Sequence, residues 1–420
     1  MRIAVIGAGI IGITTAYELA ADGHEVTVFE RRSAAAEETS FANAGVVAPG
    51  YVTPWSAPGM PAKVLSHLFS RHAPVKLGFP LSGGDLAWMW KWFRACKLET
   101  YIANRARMQR LAFYSRERLD QLTEDLKLEY DRSPGYLVLL RSSKDSRMVQ
   151  PGLQVLRDAG VNFREMGAAE VRQIEPAINT DTEFLGGIHL PDDGVANCRQ
   201  FALLLKAEAQ RLGVRFEFNR SVAQIERAQA GSILIAGETT PRQFERVVLC
   251  AGLASAELLK PLGLKIPMAA VYGYSISAPI REPLNAPRSA LMDERYKVAI
   301  SRLGNRVRVA GSAEIGGSLD KKSAASIQTL YKVLHDWFPG AAQHSNTGAS
   351  VQEWKGARPM LPDGPPIIGD SGLRGLWVNT GHGSSGWALS CGSARVLTDL
   401  IGGRSADIDM DGLGIGRLAQ

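Results

Sequence analysis

The first thirty residues leave the N-terminus little choice of fold. Arg2 to Ile6 is a short run of apolar, mostly branched side chains ending at Gly7, and a helical pattern through Ile11, Ala16, Leu19 and Ala20 comes next. The order is strand, turn, helix. The turn reads Gly7-Ala8-Gly9-Ile10-Ile11-Gly12, the G-x-G-x-x-G arrangement in which a tight turn, a close backbone approach to pyrophosphate and close helix–strand packing each require a missing side chain. The helix N-terminus then offers free N–H groups and a positive dipole end to phosphates. A second strand, Glu25 to Phe29, ends at Glu30, 18 residues after Gly12, where this unit places an acid able to accept both ribose hydroxyls of an adenosine. A carboxylate there repels a 2′-phosphate, although the adjacent Arg31 and Arg32 soften the argument against NADP. The signature alone does not separate FAD from NAD.

The segment after Glu30 narrows the choice. Thr39-Ser40-Phe41-Ala42-Asn43-Ala44-Gly45 is small and polar, unsuited to a strand or a long helix, and reads as backbone amides and hydroxyls closing over a cofactor, with Ser40, Asn43, Ala44 and Gly45 as the candidates. A plain surface loop is the other reading. The chain has 420 residues, and at about 150 residues per domain that means two to three domains or one composite fold. With 45% hydrophobic and 21% charged residues it matches neither disordered nor collagen-like chains. Cys96, Cys198, Cys250 and Cys391 are far apart and never in C-x-x-C spacing, so neither a disulfide scaffold nor a redox dithiol is expected, and the chain reads as intracellular and cytoplasmic. Its seven histidines show no metal-ligand spacing, and no structural metal is expected. A net charge of +6 without a basic block gives no nucleic-acid footprint. No run of 18 uncharged apolar residues exists to span a membrane, and the N-terminal stretch is kept as structure rather than as a secretory signal.

The Gly7 to Gly12 turn, Glu30 and the T-S-F-A-N-A-G run together resemble the D-amino acid oxidase superfamily of flavoproteins, and within it the bacterial dehydrogenase branch. The likeness continues through Met292-Asp293-Glu294-Arg295-Tyr296-Lys297, Gly356-Ala357-Arg358-Pro359, Thr380-Gly381-His382-Gly383 and Gly386-Trp387, so that it covers the chain from end to end. It implies a Rossmann-like FAD-binding domain interleaved with an antiparallel-sheet substrate domain, an α/β fold that is α+β overall. The expected division is 1–55, 145–265 and 345–420 for the FAD-binding part, with 56–144 and 266–344 for the substrate part.

The pattern along the chain fits such interleaving. A Pro/Gly-rich bridge at 49–61 precedes helical patterns over 86–127, a strand at 135–141, and helices at 146–159 and 201–212. Short apolar runs at 222–226, 232–236 and 246–251 read as strands completing the nucleotide domain; Val222 and Cys250-Ala251-Gly252 fall against the cofactor by resemblance, with Cys250 as inert packing. Strands at 271–278, 296–302 and 306–311 suit a sheet over a flavin face, and a helix near 321–337 closes that domain. The chain then returns to strand, glycine turn and helix at 367–401.

That second turn, Gly381-His382-Gly383-Ser384-Ser385-Gly386, offers donors and a helix N-terminus where flavin reduction places negative charge, at the N1/C2=O edge. His382 reads as a hydrogen-bonding group rather than an acid or base. Arg358 sits in a stiff Gly-Ala-Arg-Pro segment, and a guanidinium takes a carboxylate in two parallel bonds; the resemblance puts it on the substrate carboxylate. Tyr296, at the start of a strand, is the favoured tyrosine to meet the substrate, with Tyr274, which shares a face with Tyr272, second. Trp88, Trp90, Trp92 and Phe93 interleave with Lys91, Arg94 and Lys97, which fits either a helix packed on its own domain or peripheral contact with the inner membrane. The resemblance implies noncovalent FAD and oxidative deamination of small D-amino acids to 2-oxo acids and ammonia by hydride transfer to flavin N5, with a quinone or electron-transfer chain as acceptor. The alternatives are a glycine, sarcosine or hydroxyproline oxidase or dehydrogenase of the same fold, a non-catalytic FAD-binding subunit, and a soluble NAD dehydrogenase.

Overall fold

The computed structural model describes residues 1–67, 72–227, 231–342 and 351–419. Arg2–Ile6 and Glu25–Phe29 are strands that pair in parallel, and four of the five residues in each are buried, as strands covered on both faces must be. They lie in a six-stranded sheet of order Ile367–Asp370, Leu376–Thr380, Arg246–Leu249, Arg2–Ile6, Glu25–Phe29, Arg215–Glu217, parallel except for the first pair. The helix between them, Ile10–Ala21, is built from small and apolar residues and is buried almost all round. It packs against Gly386–Ile401 and Cys198–Arg211, and Gly386–Ile401 in turn packs on the long helix Leu98–Asp125.

One charge interrupts that apolar helix. Glu18 is 0% exposed and accepts a two-point bond from Arg118 of the long helix, at 2.6 and 2.9 Å, and a third bond from Arg395 of the C-terminal helix at 2.9 Å. Three helices are thereby fixed at one carboxylate.

The second sheet has ten strands. Its main path runs Gln352–Met360, Ala269–Pro279, Arg306–Gly316, Val298–Leu303, Ala290–Asp293, Arg132–Leu140, Gly186–Ala196, Val46–Val47, with Val75–Gly78 and Arg164–Gly167 pairing off it. Antiparallel pairing dominates, with parallel pairing where Ala290–Asp293 meets Arg132–Leu140 and where Val75–Gly78 meets Arg306–Gly316. Helix Ala324–Trp337 covers one face through Leu330, Val333, Leu334 and Trp337.

The sheets do not follow the expected segment boundaries. Residues 164–167, 186–196 and 352–360, which the resemblance places in the FAD-binding part, pair in the ten-stranded sheet, whereas the long helix, placed in the substrate part, packs against the helices of the six-stranded sheet. Gly186–Ala196 carries Pro191, Asp192 and Asp193, so its pattern hides a strand, which pairs with Arg132–Leu140 and Val46–Val47 far upstream as well as with the nearer Arg164–Gly167. Gln352–Met360 tolerates Pro359 because it is an edge strand, where the missing N–H breaks no ladder. Val222–Ile225 and Ser232–Ile235 form a separate three-stranded sheet with Arg242–Gln243 instead of completing the six-stranded one.

Helix Gly83–Ala95 divides its aromatic residues between two tasks. Trp88 is 3% exposed and its indole N–H donates to the Met360 carbonyl at 2.9 Å, while Leu86, Trp90 and Phe93 point outward at 55%, 62% and 53% exposure beside the exposed Lys91 and Arg94.

Glu18→Ala leaves Arg118 without its only carboxylate among the described residues and deprives Arg395 of one of three, so we expect a loss of about 3 kcal/mol, the scale for breaking a buried ion pair. Urea titration followed by circular dichroism measures it, and a midpoint equal to wild type would show that Glu18 is not the junction.

Candidate active site

A single cavity of about 1780 Å³ runs from the first glycine turn to the large sheet. Of the sequence-derived candidates, Gly7, Gly9, Ile10, Ile11, Glu30, Arg31, Ser40, Asn43, Ala44, Gly45, Val222, Cys250, Ala251, Gly252, Tyr274, Arg358 and all of residues 381–386 line it. Ala8 and Gly12 sit behind its surface, and Tyr296 is elsewhere.

At the first end, backbones meet without room for side chains. A Cβ on Gly12 would stand 1.8 Å from the Gly7 carbonyl oxygen, and one on Gly7, which has φ +105°, would stand 2.7 Å from that of Cys250. The Glu30 carboxylate accepts the N–H of Ala8 at 2.7 Å and that of Arg32 at 2.8 Å, so it is held at the cavity edge by the turn itself. Arg31 and Arg32, which with Glu38 also line the cavity, both donate to the Glu38 carboxylate. Cys250 is buried, its thiol pushed up to about 12 by burial, and its nearest polar neighbour is Thr15 at 3.9 Å, which makes it a packing group.

The 39–45 segment is a loop tied down on several sides. Ser40 Oγ accepts the Ile10 N–H at 3.0 Å, Asn43 Oδ1 accepts the Gly45 N–H at 3.0 Å, and Thr39 Oγ1 donates to the Ala357 carbonyl at 2.7 Å. From the large sheet, Ser301 Oγ donates to the Ala44 carbonyl at 2.7 Å and Arg308 to that of Asn43 at 3.1 Å. Sequence reasoning passes over Arg308; burial draws its guanidinium down to about 10.

The second turn leads through a 3-10 segment, Gly383–Ser385, into Gly386–Ile401, whose first turn has no side-chain cap. His382 is 3% exposed, its Nε2 lies 3.1 Å from Ser393 Oγ, and burial pulls its imidazole down to about 3, so it is neutral at physiological pH.

Arg358 comes from the edge strand, opposite Val271. Its guanidinium lies where a side chain at position 273 would be: a Cβ on Gly273 would stand 2.3 Å from Nη2, so any side chain there would displace the guanidinium. Nη1 donates to the Ser312 carbonyl at 3.0 Å, the Trp55 ring lies 5.6 Å from the guanidinium carbon, and among the described residues no carboxylate pairs with it. Burial alone lowers it, to about 10. A desolvated cation without a counter-charge is costly, and it lines the cavity.

The tyrosines differ from expectation. Tyr296 lies in the turn between Ala290–Asp293 and Val298–Leu303, two residues before the strand that the pattern has it begin, and its ring packs against Arg141 and Lys332 at 5.1 and 5.6 Å. It does not reach the cavity. Tyr274 does, but its hydroxyl donates to Glu314 and accepts the Ser323 N–H at 3.1 Å, and burial followed by the Glu314 bond raises its pKa. Tyr272 lies on the cavity wall with its ring 4.4 Å from the Lys355 ammonium, and its hydroxyl has no partner among the described residues.

A further polar group escapes the sequence reading. Tyr51 donates to Glu294 at 2.6 Å, Lys297 donates to the other oxygen of the same carboxylate, and the buried Tyr136 hydroxyl has no partner among the described residues. The only sequence signal is the Met292 to Lys297 run, and the contact between it and Tyr51 arises across 243 residues.

Residues 2–400 match the family model described as FAD dependent oxidoreductase. The chain is 41% identical over 422 residues to a D-amino acid dehydrogenase of Bradyrhizobium diazoefficiens, covering 100% of this chain and 99% of that protein. It is 43% identical over 423 residues to a D-amino acid dehydrogenase of Cereibacter sphaeroides, covering 100% and 96%. Among solved structures, glycine oxidase from Geobacillus kaustophilus superposes with a TM-score of 0.77 at 21% identity over 99% of this chain and 98% of that one, a likeness of fold. A cavity bounded by two glycine turns, reached by a match over nearly the whole chain, places this protein in the family of FAD dependent oxidoreductases.

Proposed function

We propose that this protein is a D-amino acid dehydrogenase with noncovalently held FAD, and that Arg358 takes the substrate carboxylate. The observation that carries the reading is a buried guanidinium without a counter-charge among the described residues, on the wall of the cavity that also contains the glycine turn. A carboxylate is the ligand that removes its electrostatic cost in a bidentate, oriented way.

The residues fit the cofactor. Gly7, Gly9, Ile10 and Ile11 offer a side-chain-free turn and a helix N-terminus for the pyrophosphate, Glu30 the acceptor for ribose hydroxyls, and residues 381–386 donors for the flavin end. FAD, when bound, supplies the two-electron acceptor for the substrate Cα–H. The chain's own part is positioning. Arg358 fixes the carboxylate and with it the direction of the Cα–H bond, while the Ser312 carbonyl and the Trp55 ring hold the guanidinium in the space that Gly273 leaves. Tyr272, whose hydroxyl is uncommitted among the described residues, replaces Tyr274 and Tyr296 as the tyrosine that meets the substrate. The neutral His382 and the engaged Tyr274 are not strong bases, which is compatible with an amine that binds deprotonated. The imino acid then hydrolyses to a 2-oxo acid and ammonia.

The acceptor we assign is a respiratory quinone, reached at the inner membrane by peripheral contact. Among the described residues no helix is long and apolar enough to cross a membrane. The outward face of Gly83–Ala95, with Leu86, Trp90 and Phe93 beside Lys91 and Arg94, matches an anionic lipid surface instead.

Three outcomes are expected. Acid precipitation of the yellow holoenzyme releases the colour to the supernatant; colour kept in the pellet would mean a covalent flavin. Arg358→Leu loses about 2–5 kcal/mol in kcat/KM on D-alanine with FAD retained, and Arg358→Lys recovers part of it, because an ammonium restores charge without two-point geometry. A Leu variant with wild-type kcat/KM would remove Arg358 from the substrate. Wild type co-sediments with anionic vesicles at low salt and comes off at high salt, while Trp90→Ser combined with Phe93→Ser stays in solution; equal sedimentation of the two would place the lipid contact elsewhere.

A further inference from the structure

The Arg358 end of the cavity rests on two glycines. Strands Gln352–Met360 and Ala269–Pro279 pair antiparallel with Gly356 directly opposite Gly273, and directly opposed residues share a face with Cα atoms roughly 5 Å apart. The Arg358 guanidinium lies over Gly273. The Trp354 indole lies over Gly356, with Cη2, Cζ2 and Cζ3 at 1.7, 2.2 and 2.6 Å from the point that a Cβ there would occupy. Residues 354, 356 and 358 fall on one face of the strand by its alternation, so the indole and the guanidinium stand side by side on that glycine pair.

Both side chains line the cavity. The indole is half-buried, and no hydrogen bond or ring contact engages it among the described residues, which leaves its surface to a ligand. Trp55, whose ring meets the guanidinium at 5.6 Å, lines the cavity with Val75 and Ala313, and all three belong to one apolar cluster. Free charge is scarce beside them. Lys355, next along the strand from Trp354, is closed on Glu314 and on the carbonyls of Ser318 and Lys321. The carboxylates of Asp145 and Glu294 line the cavity too, but Arg295 and Lys297 already answer them.

We propose that Trp354 packs against the substrate side chain and sets its class: large and apolar, as in D-leucine and D-phenylalanine, ahead of D-alanine and of the charged D-lysine and D-glutamate. The assignment rests on the dehydrogenase reading and on Arg358 as the carboxylate site, and it adds the side chain to that reading. A carboxylate gripped at two points has one orientation, so its Cα substituents lie next to the neighbouring indole rather than swinging free. Apolar surface withdrawn from water against an aromatic ring then favours the larger side chain. A charged side chain gives up its hydration there and finds no uncommitted counter-charge beside the indole among the described residues.

The test compares side chains within one protein. Holoenzyme is assayed by dye reduction on the five D-amino acids, and wild type is expected to show its higher kcat/KM values on D-leucine and D-phenylalanine. In Trp354→Ala the ratio of kcat/KM on D-phenylalanine to that on D-alanine falls by about tenfold or more, the scale of discrimination by an apolar pocket, and Trp354→Phe, which keeps a ring at that position, recovers part of it. An unchanged ratio in Trp354→Ala, with both substrates losing equally, overturns the proposal, since the indole would then only support Arg358. So does a ratio that rises, which makes the indole a barrier to large side chains, and so does a wild type that prefers D-alanine or a charged substrate. A binding arm needs no turnover: phenylacetate and acetate are titrated into oxidised holoenzyme and followed by the change in flavin absorbance. Wild type is expected to hold phenylacetate about tenfold or more tighter than acetate, and Trp354→Ala to narrow the gap. A gap that Trp354→Ala leaves intact overturns the proposal. If no D-amino acid is oxidised, the dehydrogenase reading fails by itself, and the two carboxylates still decide whether the indole packs against an apolar group beside Arg358.

Discussion

Three backbones cross at Gly7, Gly12 and Cys250 with no space for a Cβ, and the rest of the molecule is arranged around that crossing. The contact between Gly12 and Gly7 lets the first helix begin directly over the first strand, so that its first turn, whose Ile10 N–H is taken by Ser40 Oγ, stands at the cavity wall with Ile10 and Ile11. The contact between Gly7 and Cys250 brings the end of strand Arg246–Leu249 to the same point, which is why residues 250–252 line the wall although they lie more than half the chain away. A methyl group at either glycine would separate these elements. No adjustment of flexible side chains can absorb it, since the neighbours are carbonyl groups.

Buried charge is handled in two ways. Glu18 is satisfied by two arginines, and Lys355, 1% exposed at its side chain, donates to Glu314 and to the carbonyls of Ser318 and Lys321. These are closed networks that join elements. Arg358, three residues along the same strand from Lys355, has a single carbonyl bond and no carboxylate among the described residues, and Arg105 keeps one N–H without an acceptor there. Both residues line the cavity, although the unpartnered Arg105 Nε is itself buried. Such imperfection is tolerated where a ligand completes it, since leaving a desolvated charge unpaired is otherwise among the costlier defects a fold can carry.

The loop at residues 39–45 joins the two sheets electrically and mechanically. Its hydroxyls and carbonyls are held by the first helix at Ser40, by the edge strand at Thr39 and by the large sheet at Asn43 and Ala44. The bond from Thr39 to Ala357 lies one residue from Arg358, so the segment that borders the cofactor cradle also steadies the strand that carries the guanidinium. Relative movement of the sheets would be felt at both ends of the cavity.

Much of this is legible without coordinates, and the reason is locality. The glycine turn, Glu30, the 39–45 loop and the 381–386 turn are each specified within a few residues, because a missing Cβ or a helix start constrains the backbone where it stands, and all four border one cavity. Arg358 is legible through its flanking Gly-Ala and Pro, yet the sequence contains no sign that Gly273 makes its space or that no carboxylate among the described residues answers it. Tyr296 is misplaced by pattern because a shift of two residues moves a side chain from a strand into its turn, and Tyr274 because its partner, Glu314, lies on a neighbouring strand. Strand Gly186–Ala196 is hidden in the sequence, for its pairing with Arg132–Leu140 exists only where segments about fifty residues apart are brought into register. The sequence by itself determined the two glycine turns and the class of fold, since both are written in local backbone constraints. Only the tertiary structure decided which buried charges are paired and which are left open to a ligand, because pairing is a property of distance in space.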